Sequence, residues 1–252
     1  MSIGLDEAVE LTRTGDVWVF RGRSVPDRAI QLTTNSPVNH VGMAVVLDDL
    51  PPLMWHAELG RSLRDMWTGT HHRGVQLHDL RDAVCVWANR YGQRAWLRQL
   101  EPPADATMEQ AVLRTVARLD GTPFPSTAQL AWRWARGRVP QVRLPLPLPG
   151  RRDRAADVSE QRGADQAQRA VDQPDRGAAQ AERAGGVAVR DRALETAYCA
   201  EVVAVTYEAM GLLPAGRRPN WYDPGRFWSG DDLGLTGGAQ LGAEIEVRIP
   251  PR

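Results

Sequence analysis

The sequence predicts an α+β domain: a mostly antiparallel sheet with a long helix near the end of the chain packed on it. Three observations carry this expectation. Short apolar or alternating runs, separated by turns containing Pro, Gly and Asp, recur through the first half of the chain, as sheet strands do. Helical periodicity is sharpest over 196–213, where Val202, Val203, Val205, Ala209 and Met210 recur at three- and four-residue spacing. A closing run, 244–249, alternates cleanly between polar and apolar.

Residues 5–13 read as a short amphipathic helix, and Gly15-Asp16 then turns into a buried strand over 17–20. The clearest strand spans 40–47, with His40 at its start. After the turn Asp48-Asp49-Leu50-Pro51-Pro52, residues 53–59 alternate, so His56 and Glu58 share one face while Trp55 and Ala57 share the other. Two strands joined by a tight turn set the His40 and His56 imidazoles side by side. Residues 75–80 and 84–90 read as further strands, with Cys85 and Trp87 packed in the second. Thr107 to Gln110 is a capping box opening a helix through Leu119. Gly121-Thr-Pro-Phe124 ends it, and Trp132 and Trp134 follow in a helical piece.

Residues 1–139 and 194–252 are expected to form one domain. Pro145, Pro147 and Pro149 stiffen the intervening segment, and residues 151–193 carry Arg, Asp, Gln, Ala and Gly with no aromatic residue. Such a composition buries too little apolar surface to offset its ordering entropy, so 140–193 reads as a low-complexity insertion, disordered or a solvated helix.

Composition narrows the function. The chain has 252 residues, 42% hydrophobic and 25% charged, with 31 basic and 31 acidic residues balancing to +0. That balance gives no reason to expect a nucleic-acid partner. All the basic residues are arginine, which removes Schiff-base and phosphate-loop lysine chemistry. Two cysteines make neither a disulfide framework nor a thiolate-rich zinc site. His71-His72 point apart on an extended chain, without a third ligand at a metal-site spacing, so neither a metal nor a cofactor is expected. The N-terminus has the acids a signal peptide lacks, and no run approaches the roughly 20 apolar residues of a membrane span; a cytoplasmic setting is the default. The oligomeric state stays open.

Cys199 sits in the first turn of the 196–213 helix, with Thr196 as N-cap and Gly211 as stop. Unpaired amides and the helix dipole there favour a thiolate, the nucleophilic form. The competing reading is a small buried hydrophobe. Pro219 to Trp228 forms an aromatic, Pro/Gly-punctuated loop.

Gly15-Asp-Val-Trp-Val-Phe20, Ser36-Pro-Val-Asn-His40-Val-Gly-Met, Trp55-His56-Ala57 and Tyr198-Cys199-Ala-Glu201-Val-Val, with the turn Gly121-Thr-Pro-Phe124, resemble the circularly permuted NlpC-like branch of the papain-like cysteine hydrolases. In that branch the histidine strand precedes the cysteine helix. The resemblance covers the chain outside 140–193. It implies a papain-like domain and a thiol hydrolase or acyltransferase, with Cys199 as nucleophile, His40 as general base and a third residue orienting His40. His56 occupies the orienting position, where the family often has glutamate, and Glu58 competes two residues on. Ala200 stands where the family commonly has serine. The candidate substrate contacts are Asn39 and Tyr198, beside His40 and Cys199, with Trp221 and Tyr222 of the aromatic loop. The substrate would be an amide or ester of a small molecule, lipid or peptide. A catalytically silent binding module on the same fold, holding an acyl chain or peptide, is the alternative.

Overall fold

A computed structural model describes residues 1–23, 36–58, 60–123, 198–230 and 232–251. All belong to one compact unit, Met1–Val139 with Leu194–Arg252. The expectations for Thr196, Phe124, Trp132, Trp134 and the 140–193 insertion fall outside the described residues.

The fold is α+β, built on a seven-stranded mixed sheet. Its strands are β1 (Ser2–Gly4), β2 (Val17–Arg21), β3 (His40–Val45), β4 (Leu53–Glu58), β5 (Gly74–Asp79), β6 (Arg94–Arg98) and β9 (Ile245–Arg248), in the order β1-β9-β6-β2-β3-β4-β5. Among the described residues of this sheet, β1 and β9 alone pair in parallel; the other five pairings are antiparallel. β7 (Leu100–Glu101) and β8 (Gln240–Leu241) form a separate two-stranded ribbon.

Strand alternation sorts the side chains onto two faces. Val17, Val19, Val41, Met43, Trp55, Val75 and Leu77 pack with the helix α4 (Cys199–Ala209) and with α3 (Ala106–Leu119). Trp18, Phe20, Ala44 and Met54 pack with α1 (Leu5–Leu11) and α2 (Leu80–Tyr91) on the other side. α4 is buried on nearly every side, including Cys199, Val202, Val203, Thr206 and Tyr207. It is pinned by Trp55 Nε1 donating to Thr206 Oγ1 at 3.0 Å and by Tyr207 Oη donating to the Gly15 carbonyl at 2.6 Å.

Three sequence expectations are corrected. Residues 84–90 are helical, inside α2. Asp79 caps that helix by accepting from the Asp82 amide, and Gly92 closes it at φ 65°, so local capping overrides the strand propensity of Val-Cys-Val-Trp. α3 is capped by Asp105, which accepts from the Met108 amide, and not by Thr107. The cysteine helix runs over Cys199–Ala209, shorter than 196–213, with Tyr198 at its N-cap position and no side-chain cap.

Candidate active site

Three of the five histidines form a row on the α2 side of the sheet. His40 opens β3, and His56 and His78 lie on β4 and β5. In the antiparallel register, Met54 opposes His78 and His56 opposes Gln76, so both histidines point to the same face. His40 Nε2 lies 3.2 Å from His56 Nδ1, and His56 Nε2 lies 3.0 Å from His78 Nδ1. Each contact holds a single proton, whose owner depends on the tautomer. Gly42 makes room for the row: a Cβ there would stand 2.4 Å from Met54 Sδ and 3.4 Å from His56 Cβ.

Trp87 of α2 covers the row, with ring centroids 4.9 Å from His40 and 4.8 Å from His56, both edge-on. Its indole N–H donates to Glu58 Oε2 at 2.8 Å. Glu58 therefore shares a face with His56 but bonds the indole, and no hydrogen bond joins it to His40. Burial raises its carboxyl to about 7. Burial likewise disfavours charge on all three imidazoles, with a smaller contribution from neighbouring imidazoles: His40 drops to about 3, His78 to about 4, and His56 falls well below its ordinary value. At neutral pH the row is uncharged.

Cys199 occupies the first position of α4 and is 4% exposed. Its thiol is pushed up to about 12 by burial, against the opposing pull of the Val41, Ala200 and Cys199 amides. This corrects the expectation of a resting thiolate: the amides and helix dipole are present as anticipated, but desolvation outweighs them. The sulfur lies against the Val41 amide, one residue beyond His40, within the α4-side core. The imidazole row belongs to the α2-side packing, and no hydrogen bond joins Sγ to His40. The sheet thus brings thiol and base to the same end of β3 without bonding them. His40 commits Nε2 to His56 and, among the described residues, has no hydrogen bond at Nδ1.

Of the expected substrate contacts, Tyr198 and Tyr222 are joined, the Tyr198 hydroxyl donating to the Tyr222 carbonyl. Both lie in the same apolar cluster as Cys199. Trp221 stacks edge-on against Tyr222 at 5.1 Å and is flanked by the guanidinium groups of Arg217 and Arg226, at 4.3 and 3.9 Å from its ring centre. Asn39 Oδ1 accepts from the Gly22 amide at 2.6 Å, which ties the start of β3 to the end of β2.

Two clusters among the described residues offer donor atoms within 4.8 Å of one another: His56, Glu58 and His78; and Asp65, His72 and Asp120. The second brings carboxylates to His72 that its sequence neighbourhood does not announce. Asp65 is already spent on the Thr68 amide and hydroxyl and the Leu77 amide. A cation on the first cluster would take a nitrogen lone pair from each of His56 and His78; at His56 Nε2 it would displace the contact with His78. Bound there, it would leave the His56 proton on Nδ1, facing His40.

Sequence reasoning placed His40 and His56 together but left His78 as an ordinary strand residue. The available signal was its even position in an alternating strand, in phase with His56 once β4 and β5 pair.

No protein-family model matches this chain, and no curated protein matches it. Among solved structures it is similar to the crystal structure of metalloprotein yiiX from Escherichia coli O157:H7, DUF1105. The identity is 22% over 49% of this chain and 56% of that one, with a TM-score of 0.36. The chain spans little more than half of that structure's length, and so distant a likeness assigns no function.

Proposed function

We propose that this chain is a thiol hydrolase or acyltransferase of the permuted NlpC-like, papain-like type, acting on an amide or ester through a thioester on Cys199. The observation that carries the reading is the His40–His56 contact at 3.2 Å, made at the end of β3 where the Cys199 sulfur meets the Val41 amide. A base needs one ring nitrogen for the nucleophile and the other held by an orienting partner. His40 has its Nε2 held by His56, which leaves Nδ1 as the nitrogen for the nucleophile.

Thiol and imidazole are both neutral at rest, so proton transfer accompanies attack. In this reading His40 moves round the end of β3, from the α2 side to the α4 side, to bring Nδ1 onto Sγ, and takes its proton as sulfur bonds to the substrate carbonyl carbon. The tetrahedral adduct collapses, and the departing amine or alcohol leaves with that proton. Water or another acceptor then attacks the thioester, giving a proton to His40. Sγ leaves and recovers it. Tyr198, Tyr222 and Trp221 provide the apolar wall for an acyl chain or peptide.

The raised thiol favours a second reading, a silent binding module on the same fold. The two separate on a panel of p-nitrophenyl acyl esters and N-acyl amides of increasing chain length. The enzyme reading expects turnover in the parent, loss of it in Cys199→Ser, and an acyl mass increment on the peptide containing Cys199 after a rapid quench. Turnover that survives Cys199→Ser overturns it.

A further inference from the structure

We propose that His78 is a positioning residue for this reaction, fixing through His56 which nitrogen of His40 carries the proton. The inference rests on the reading of His40 as a base, and its geometry is the continuous row His40–His56–His78 with N···N separations of 3.2 and 3.0 Å.

A neutral imidazole has one N–H and one lone pair, so two rings that share a contact cannot choose their tautomers independently. For His40 to accept at Nδ1, its proton must sit on Nε2 and point at His56 Nδ1. His56 then carries its own proton on Nε2, aimed at His78 Nδ1, and His78 carries its proton on Nε2. The opposite ordering puts Nδ1–H on His40 and leaves it unable to take a proton from the thiol. The row therefore has two collective states, and one of them is inert.

With His56 alone, either ordering satisfies the His40 contact equally well. His78 extends the row by one ring, so the ordering of all three is set at its far end, by what His78 Nε2 meets. Burial keeps His78 neutral, and of its charged neighbours Asp65 is the one that attracts a proton to it. His78 Nε2 and both polar atoms of the Gln76 amide, two residues back on the same face, are buried at this end of the row. None of them has a hydrogen-bond partner among the described residues. The Gln76 carbonyl oxygen, engaged by no other group among the described residues, is the acceptor on this face of β5 that the Nε2–H ordering calls for. Burial also shields His56 and His78 from bulk water, so reordering of these two rings requires concerted exchange along the row.

The test is long-range ¹H–¹⁵N correlation of the imidazoles in the uniformly labelled full chain at neutral pH, which reads the tautomer of each ring without an assay. The expected parent pattern is Nε2–H on His40, His56 and His78. In His78→Asn the side-chain carbonyl oxygen stands where Nδ1 stood and still accepts, so His40 and His56 keep their pattern and turnover stays within about threefold. In His78→Phe the acceptor is lost. Signals of Nδ1–H then appear on His56 and His40 together, and kcat falls by about tenfold or more, an effect of about 1.4 kcal/mol, with KM unchanged. A parent spectrum with Nδ1–H on His56, or His78→Phe spectra in which His40 and His56 are unmoved, overturns the proposal. If the Phe variant does not fold, the parent spectrum alone decides. Absence of turnover with the ordered row intact would count against the hydrolase reading and leave the row standing.

Discussion

His40 Nε2 faces His56 Nδ1 across 3.2 Å, while Glu58, two residues along the same face of β4, gives its carboxylate to the indole of Trp87 at 2.8 Å. The carboxylate nearest the imidazole row is therefore engaged elsewhere. His56→Ala should lower turnover by orders of magnitude, and Glu58→Gln, which still accepts from Trp87, should cost tenfold or less, within about 1.4 kcal/mol. Steady-state kinetics on the best ester substrate measures both. A larger loss in Glu58→Gln than in His56→Ala would show the carboxylate to be the orienting group.

Cys199 should alkylate slowly. With burial holding its thiol up near 12, the thiolate fraction rises about tenfold per pH unit across the neutral and mildly alkaline range. Iodoacetamide labelling of the folded protein, followed at the Cys199 peptide by mass spectrometry from pH 6 to 9, should show that steep rise and no plateau. Unfolding in denaturant should accelerate labelling at fixed pH. A plateau reached below pH 7 would mean that an ion pair with His40 forms in solution.

Glu58 links stability to pH. Its folded value of about 7 lies above its ordinary 4.5, so between these values the folded state holds a proton that the unfolded state has released. Its contribution therefore falls as pH rises through that window. Glu58→Gln removes the dependence, so the variant should gain on the parent from pH 4.5 to 7, by at most about 1.4 kcal/mol per pH unit and less for its partial exposure. The three imidazoles, lowered by burial, favour the fold at higher pH, but they act equally in parent and variant. Urea titrations at pH 5, 6 and 7 give the difference. A gap that stays constant with pH contradicts the assignment.

Arg98 ties the C-terminal part of the chain to the sheet. Its guanidinium donates to the carbonyls of Gly242, Phe227 and Leu241 at 2.7, 2.7 and 2.9 Å. Arg98→Ala leaves three acceptors without their charged donor, a loss of about 3 kcal/mol or more. Calorimetry should record a Tm lowered by about 6 °C or more. The edge-on Trp96–Trp228 pair, 5.3 Å between ring centres, should lose its near-ultraviolet dichroism as the loop loosens. Arg98→Lys should recover only part of the loss, since an ammonium cannot span three carbonyls in a plane.

The legible part of the molecule was local. β3, the Asp48–Pro52 turn and β4 follow from apolar alternation, and with them the approach of His40 to His56. What could not be read depends on long-range placement. His78 joins the row only because residues 60–73 return the chain so that β5 pairs with β4 in one particular register. The state of Cys199 depends on how completely α4 is enclosed, a property of the assembled core that no pattern around residue 199 encodes. Residues 84–90 show the reverse: the cap signals of Asp79 and Gly92 are local, and they outweigh the strand propensity of the β-branched and aromatic run between them.

The strand order has a consequence in time. β2 to β5 are consecutive in the chain and pair as successive antiparallel neighbours, so this part of the sheet can form soon after residue 79 is synthesised. The face carrying Val17, Val19, Val41, Met43 and Trp55 acquires α4 only after residue 209, and β6 receives its outer partner β9 only after residue 245. During synthesis that apolar face and that open strand edge are exposed together, the combination that most favours association between nascent chains. Slow elongation through the middle of the message would prolong the exposure. The yield of folded protein should therefore respond more to chaperone supply and growth temperature than the stability of the finished domain would suggest.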